Sequence, residues 1–302
     1  MVTRRERALH RIFRPLERRG IHVTPVHFYQ PVPDTGRLDE SLWSSRTLPP
    51  GVDWNEQVQL DHLDEFERRF HAEYRRLPVR ATADPYEYHL DNDQFSKVDA
   101  EALYCMVRSI KPQRVIEIGC GNSTLLTAQA LRANAADDAS YACRFTAIEP
   151  YPNSVISSGV PGVSELVAQP VQEVDLGVFE QLEAGDILFI DSSHVLKIGS
   201  DVQYEVLEVL PRLAPGVIVQ IHDVFLPDEY PRHLIVDWHQ FWNEQYLVQA
   251  FLAFNDSFEV LWSSAWLHSS HSDRLARAFP SYRGMEWPTG MPPSSLWLRR
   301  TR

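Results

Sequence analysis

The segment Arg114-Val-Ile-Glu-Ile-Gly-Cys-Gly-Asn-Ser-Thr constrains this chain more than any other. Val115, Ile116 and Ile118 form a short apolar, β-branched run, the composition of a strand buried inside a sheet, and the run stops at Gly119. Gly119 and Gly121 then lead into helical spacing over residues 124–134. Glycine at such a turn tolerates positive φ and lets backbone N–H groups come close to a ligand. A strand entering a helix through a Gly-rich turn is the opening unit of an α/β fold.

The remainder of the chain repeats that alternation. Strands are predicted at residues 145–148, 165–168, 186–191, 217–221, 258–262 and 295–298, with helices at 100–110, 202–210, 236–254 (long and amphipathic) and 273–279. Strands separated by helices imply right-handed crossovers and a sheet covered on both faces. The expectation is an α/β, Rossmann-like, doubly wound fold with a mostly parallel seven-stranded sheet.

Upstream the pattern differs. Residues 24–36, Thr-Pro-Val-His-Phe-Tyr-Gln-Pro-Val-Pro-Asp-Thr-Gly, form a proline-set extended segment, and residues 58–77 carry helical spacing with many charges. This reads as a partly helical N-terminal cap over residues 1–95, ahead of a core at 96–302, with the boundary near Asp91 to Ser96. The first ten residues read as a basic amphipathic helix, because no apolar run follows the paired arginines.

Charge and cysteine content exclude several functions. With 29 basic and 41 acidic residues the formal charge is −12, which repels phosphate backbones, so nucleic acid is not an expected partner. The three cysteines, Cys105, Cys120 and Cys143, are too few for a disulfide framework, and a reduced, cytoplasmic setting is expected. No stretch reaches the roughly 18 consecutive apolar residues of a membrane span. Whether the chain forms a homo-oligomer is left open.

In doubly wound sheets ligands bind at the carboxyl ends of strands, so the residues closing each strand carry the functional information. Glu117 stands before the Gly-rich turn and Glu149 closes the next strand. Asp191 closes the 186–191 strand, with His194 three residues on, and His222 and Asp223 close the following one. A dinucleotide fold would carry a third glycine where this chain has Thr124, which argues against a nicotinamide oxidoreductase.

An acidic strand end before G-x-G, with a second acidic residue closing the next strand, resembles the class I S-adenosylmethionine-dependent methyltransferases, from about Asp99 to the C-terminus. The resemblance implies that Glu117 lies near the methionine amino group and that Gly119, Cys120, Gly121, Asn122 and Ser123 wrap the cofactor. It further implies that Glu149 accepts from both ribose hydroxyls, that Val171 and Gln172 border the adenine, and that Asp191 closes the cofactor site. The strand ends at Asp191 and at His222-Asp223 are similar to a subgroup that includes macrocin O-methyltransferase and cephalosporin hydroxylase relatives. Ser192 and Ser193 depart from its usual Gly and Asp.

The implied activity is methyl transfer to a hydroxyl of a small or medium acceptor, such as a sugar or secondary metabolite. Asp191, His222 and Asp223 offer oxygen and imidazole ligands for Mg²⁺ or a similar divalent ion, which would acidify the acceptor. His194 is the preferred general base, since an ordinary histidine titrates near 6.5. The alternatives are a cephalosporin-hydroxylase-like reaction on the same fold and a non-catalytic cofactor-binding subunit. Tyr86, Tyr88 and His89 suit either an acceptor pocket or cap packing. Trp238, Trp242, Trp262 and Trp266 read as core and helix packing, and Cys120 as a small buried residue with no base beside it.

Overall fold

The computed structural model describes residue 13 and residues 15–44, 47–284 and 290–302; the basic helix expected over the first ten residues lies outside them. The chain divides into two compact units, Met1–Ser44 with Pro231–Phe241, and Ser45–Tyr230 with Trp242–Arg302.

In the smaller unit no helix or strand runs through residues 21–34, as its prolines require. Short 3₁₀ turns follow at Thr35–Arg37 and Glu40–Trp43, the second capped by Asp39, which accepts from the Ser41 N–H. The Arg232 guanidinium holds the Glu40 carboxylate with both Nε and Nη2 and lies over the Trp43 ring.

The larger unit carries a seven-stranded sheet: β1 (Arg114–Ile118), β2 (Arg144–Ile148), β3 (Glu165–Val167), β4 (Ile187–Ile190), β5 (Ile218–Ile221), β6 (Phe258–Ser263) and β7 (Leu296–Arg300). Their spatial order is β3-β2-β1-β4-β5-β7-β6. The first five strands are parallel and β7 is antiparallel to both neighbours. This is the doubly wound arrangement anticipated from the alternation, and the order reverses between β1 and β4, where ligands bind in such sheets.

Helices α1 (Glu56–Tyr74), α2 (Asp99–Ile110) and α3 (Asn122–Asp137) belong to this unit. The predicted cap is not wholly separate from the sheet. Phe66 of α1 packs on Trp262 of β6, Gln59 accepts from the Ser263 N–H (2.7 Å), and the Tyr74 hydroxyl donates to the Ala278 carbonyl (2.6 Å). Leu63, Phe66, Phe70 and Tyr74 form the buried stripe of α1, which packs beside β6, the edge strand farthest from β3.

Two helices differ from expectation. The single helix expected over residues 236–254 is two, Arg232–Val236 and α4 (Glu244–Leu252), and the chain between them is not helical, with His239 at φ +56°. The amides of Asn243 and Glu244 both donate to the carbonyl of His194 (3.0 and 3.2 Å), so a tertiary acceptor replaces the intrahelical one. The helix expected over residues 202–210 is α-helical only at Asp201–Tyr204 and continues as a π-turn over Glu205–Val209, a form that often accompanies functional sites.

Candidate active site

Strand register assembles the site. β1 pairs Ile118 with Ile148 on one side and with Ile190 on the other, and β4 pairs Ile190 with Ile221. The next residue of each strand therefore falls in one row across the sheet: Glu149, Gly119, Asp191, His222. Backbone bonds extend the ladder through that row, from Gly119 N–H to the Ile148 carbonyl, Asp191 N–H to Ile118, and His222 N–H to Ile190, each 2.9 Å.

Gly119 has φ +82°, and a Cβ there would meet the Asp191 carbonyl oxygen at 1.8 Å, so only glycine fits. Beside it opens a cavity of about 370 Å³, lined by Gly119, Glu149, Tyr151, Val171, Gln172 and Asp191 among others. Five of the predicted cofactor residues thus share one pocket. Glu149 accepts from the backbone N–H of Tyr151 (2.7 Å) and of Cys120 (3.3 Å), which fixes its carboxylate at the pocket wall.

The remaining predicted cofactor residues surround the turn without lining that cavity. Glu117 is 1% exposed; Ser123 donates to its Oε1 (2.6 Å), and its Oε2 has no hydrogen-bond partner among the described residues. Burial pushes the Glu117 carboxyl up to about 8, with Asp191 and Glu149 adding to the rise and the bond from Ser123 opposing it. Gly121 and Asn122 face a second cavity of about 230 Å³ with His89, Gln94 and Asn153, and the Asn122 amide donates to Gln94 (3.1 Å). Burial raises the Cys120 thiol well above its ordinary value, consistent with a residue that is not a nucleophile.

At the other end of the row, Asp191, His194, His222 and Asp223 meet. His194 Nε2 lies 3.4 Å from Asp191 Oδ1 and 3.4 Å from Asp223 Oδ2, and His222 Nδ1 lies 3.5 and 3.7 Å from the same two carboxylates. Asp223, at φ +58°, also accepts from the Ser294 hydroxyl (2.9 Å). Asp191, His194 and Asp223 each present a ligand atom within 4.8 Å of the others, a geometry able to hold a metal ion. That trio contains His194, whereas the sequence reading had grouped His222 with the two aspartates.

Burial opposes charge on both imidazoles, but the carboxylates around them outweigh it and raise His194 and His222 well above 6.5. The same pairing holds the Asp191 carboxyl below its ordinary range although burial alone would raise it. The surrounding carboxylates therefore favour the protonated ring of His194. The ordinary pKa that recommended it as a base is not what its surroundings supply.

Several residues at the site escaped the sequence reading. Asp99 faces His222 Nε2 at 3.6 Å, Phe95 lies tilted against the His222 ring (4.8 Å between centroids), and Glu244 lies 3.0 Å from His194 Nδ1. Trp242 packs its ring 4.4 Å from His194, so one of the four tryptophans read as packing borders the chemistry, while Trp262 and Trp266 are buried in the core. Tyr88 is buried, its hydroxyl donating to the Phe95 carbonyl (2.6 Å), which is a packing role. No local pattern marks Asp99 or Glu244, since each occupies a helix start far in sequence from its histidine.

Residues 116–224 match the model of a methyltransferase domain family. Over 167 residues, 53% of this chain and 73% of the relative, the sequence is 33% identical to an uncharacterised protein of Archaeoglobus fulgidus. Among solved structures the chain is similar to an O-methyltransferase from Bacillus cereus in complex with SAH, at 14% identity over 80% of this chain and 91% of that one, TM-score 0.39. It is also similar to CmcI with Mg and SAM, at 15% identity over 74% of each chain, TM-score 0.32.

Proposed function

The chain belongs to the class I S-adenosylmethionine-dependent methyltransferases, and from that premise we propose that it methylates a hydroxyl oxygen of a small or medium-sized acceptor, such as a sugar or secondary metabolite. One observation carries this reading. Asp191 lines the 370 Å³ cavity and also lies against both imidazoles, so the cofactor pocket and the titratable cluster share a wall.

The residues present fit the cofactor. Glu117 Oε2, buried and unpartnered, suits an ammonium group, and Glu149 offers two acceptor oxygens to a vicinal diol. The space a Cβ of Gly119 would fill is the close backbone approach that the turn needs. When bound, S-adenosylmethionine supplies an electrophilic methyl on a sulfonium sulfur, an intrinsically reactive group.

What remains for the protein is positioning and proton removal. Asp191 and Asp223 accept a cation or a hydrogen bond at the wall of the pocket, and His194 and His222 turn a nitrogen toward the same pair. A divalent ion fits this donor set, with Asp191, His194 and Asp223 as its ligands and His222 alongside, and would lower the pKa of an acceptor hydroxyl. The carboxylates of Asp99, Asp191 and Asp223 outnumber the two imidazoles, a donor set that suits a cation. With such charge in place, the imidazoles need not stay protonated to balance the carboxylates; Nε2 of His194 would then hold the ion, and without an ion the same nitrogen is the one placed to take the acceptor proton.

Incubation of the protein with S-adenosylmethionine and a panel of hydroxylated acceptors tests the proposal by product mass. A gain of one CH₂ on oxygen is expected. A gain of one oxygen, or tight binding of NAD with no calorimetric response to S-adenosylmethionine, overturns it.

A further inference from the structure

We propose that Glu244 is a positioning residue for His194: it holds the Nδ1–H of the imidazole and thereby presents Nε2 to the Asp191–Asp223 pair. The proposal rests on reading that cluster as the acceptor end of the site.

The arrangement is built from several independent contacts. Glu244 is 1% exposed and its Oε2 lies 3.0 Å from His194 Nδ1, while Nε2 of the same ring faces both aspartates. The backbone is fastened to the same place: the N–H groups of Asn243 and Glu244 donate to the His194 carbonyl, and the Asn243 side-chain oxygen accepts from the Leu196 N–H (2.6 Å). The Trp242 ring closes one side of the imidazole. Three consecutive residues, 242–244, therefore hold the ring and backbone of His194, whose φ of +59° is a conformation that a β-carbon disfavours and that needs such support. This is the junction at which the expected long helix is interrupted, so the interruption delivers a carboxylate to the histidine.

The chemistry follows from what each group can do. An ionised carboxylate only accepts, so it selects the protonated nitrogen of the ring, and the opposite nitrogen is left to accept a proton or to bind an ion. His222 shows the same construction in mirror sense. Its Nε2 faces Asp99, which is itself held by the Ser294 and Ser295 N–H groups (2.9 Å each), and its Nδ1 turns to the Asp191–Asp223 pair. Two imidazoles, each backed by a buried carboxylate, thus converge on one pair of aspartates. Partners of this kind commonly change activity or ion affinity about 10–100-fold when removed.

The experiment uses the full-length protein with ¹⁵N-labelled histidine, the His194 resonances being assigned by their absence in His194→Ala. In the wild type, His194 Nδ1 is expected to carry a hydrogen-bonded proton. In Glu244→Gln, whose amide presents either a donor or an acceptor, that signal is expected to shift or broaden, and kcat to fall about 10–100-fold. Affinity for S-adenosylhomocysteine should stay within about 2-fold of wild type, because Glu244 does not line the cofactor cavity. Partial recovery of kcat in Glu244→Asp is expected. A wild-type Nδ1 without a proton overturns the proposal, and so does an unchanged kcat in Glu244→Gln. If Glu244→Gln does not fold, the wild-type spectrum decides by itself when recorded at a pH where the ring is neutral and keeps a single proton, on Nδ1 or on Nε2. The spectrum requires no turnover, so an error in the acceptor assignment would leave methyl transfer undetected without altering the histidine result.

Discussion

A Cβ on Gly119 would stand 1.8 Å from the backbone carbonyl oxygen of Asp191. The two residues are neighbours in the row across the sheet, and the absence of a side chain at one sets the position of the other. Gly119→Ala should therefore do more than strain a dihedral angle. Gly159, at φ +91° with nothing within 4 Å of where a Cβ would stand, provides the comparison. Gly159→Ala is expected to cost only the backbone penalty, about 1–2 kcal/mol. Gly119→Ala should cost more than that in chemical denaturation and abolish S-adenosylhomocysteine binding in calorimetry. Equal stability losses in the two variants would mean that the contact with Asp191 relaxes at no cost.

Glu149 already receives two backbone N–H groups, so its carboxylate is oriented before any ligand arrives. Glu149→Ala should weaken S-adenosylhomocysteine binding by about 1.5–3 kcal/mol, the scale of lost charge-assisted hydrogen bonds. Calorimetry on the wild type and the variant measures this directly. An affinity unchanged by the substitution would remove Glu149 from the cofactor site.

The Glu117 carboxyl, raised from 4.5 to about 8, gives a pH signature whose sign is fixed. Between those values the folded protein holds a proton that the unfolded chain releases, so the unfolded state binds fewer protons and stability falls as pH rises. Without ligand, stability should decline from about pH 4.5 to 8 and level off above, by an amount on the order of a few kcal/mol. Glu117→Gln should flatten this slope in urea titrations at a series of pH values. Parallel slopes in both proteins would assign the pH dependence to other groups.

If the aspartate pair holds an ion, EDTA should suppress turnover and Mg²⁺ or Mn²⁺ should restore it. Asp223→Asn, which tolerates the positive φ of +58°, should lose both the activity and the rise in melting temperature on adding the ion. If His194 works without an ion, EDTA should have little effect, while His194→Ala lowers the rate about 10²–10⁴-fold. An Asp223→Asn protein with full activity and full ion response would place the ion elsewhere.

Deletion of residues 1–90 removes Gln59, Phe66 and Tyr74 from Ser263, Trp262 and Ala278. The shortened protein should be poorly soluble or show a broad, low melting transition, because the buried Trp262 face loses its cover. A cooperative melt with retained S-adenosylhomocysteine binding would show instead that this segment is separable from the sheet.

The sequence by itself determined the strands, their order of type along the chain and the polar residue that closes each one. Apolar β-branched runs ending at Gly119, Glu149, Asp191 and His222 are local signals, because burial within a parallel sheet demands them and a turn ends them. It could not determine what stands behind those residues. Asp99 and Glu244 look like ordinary helix-start acids, and residues 237–243 carry helical spacing. Only tertiary structure places Glu244 against His194 and breaks the helix to do so, since the His194 carbonyl competes for the amides that a continuous helix would have used. The protonation of the two histidines was decided in the same way. An isolated imidazole titrates near 6.5, whereas one enclosed by three carboxylates from separate segments has a pKa set by neighbours that no local reading of the chain brings together.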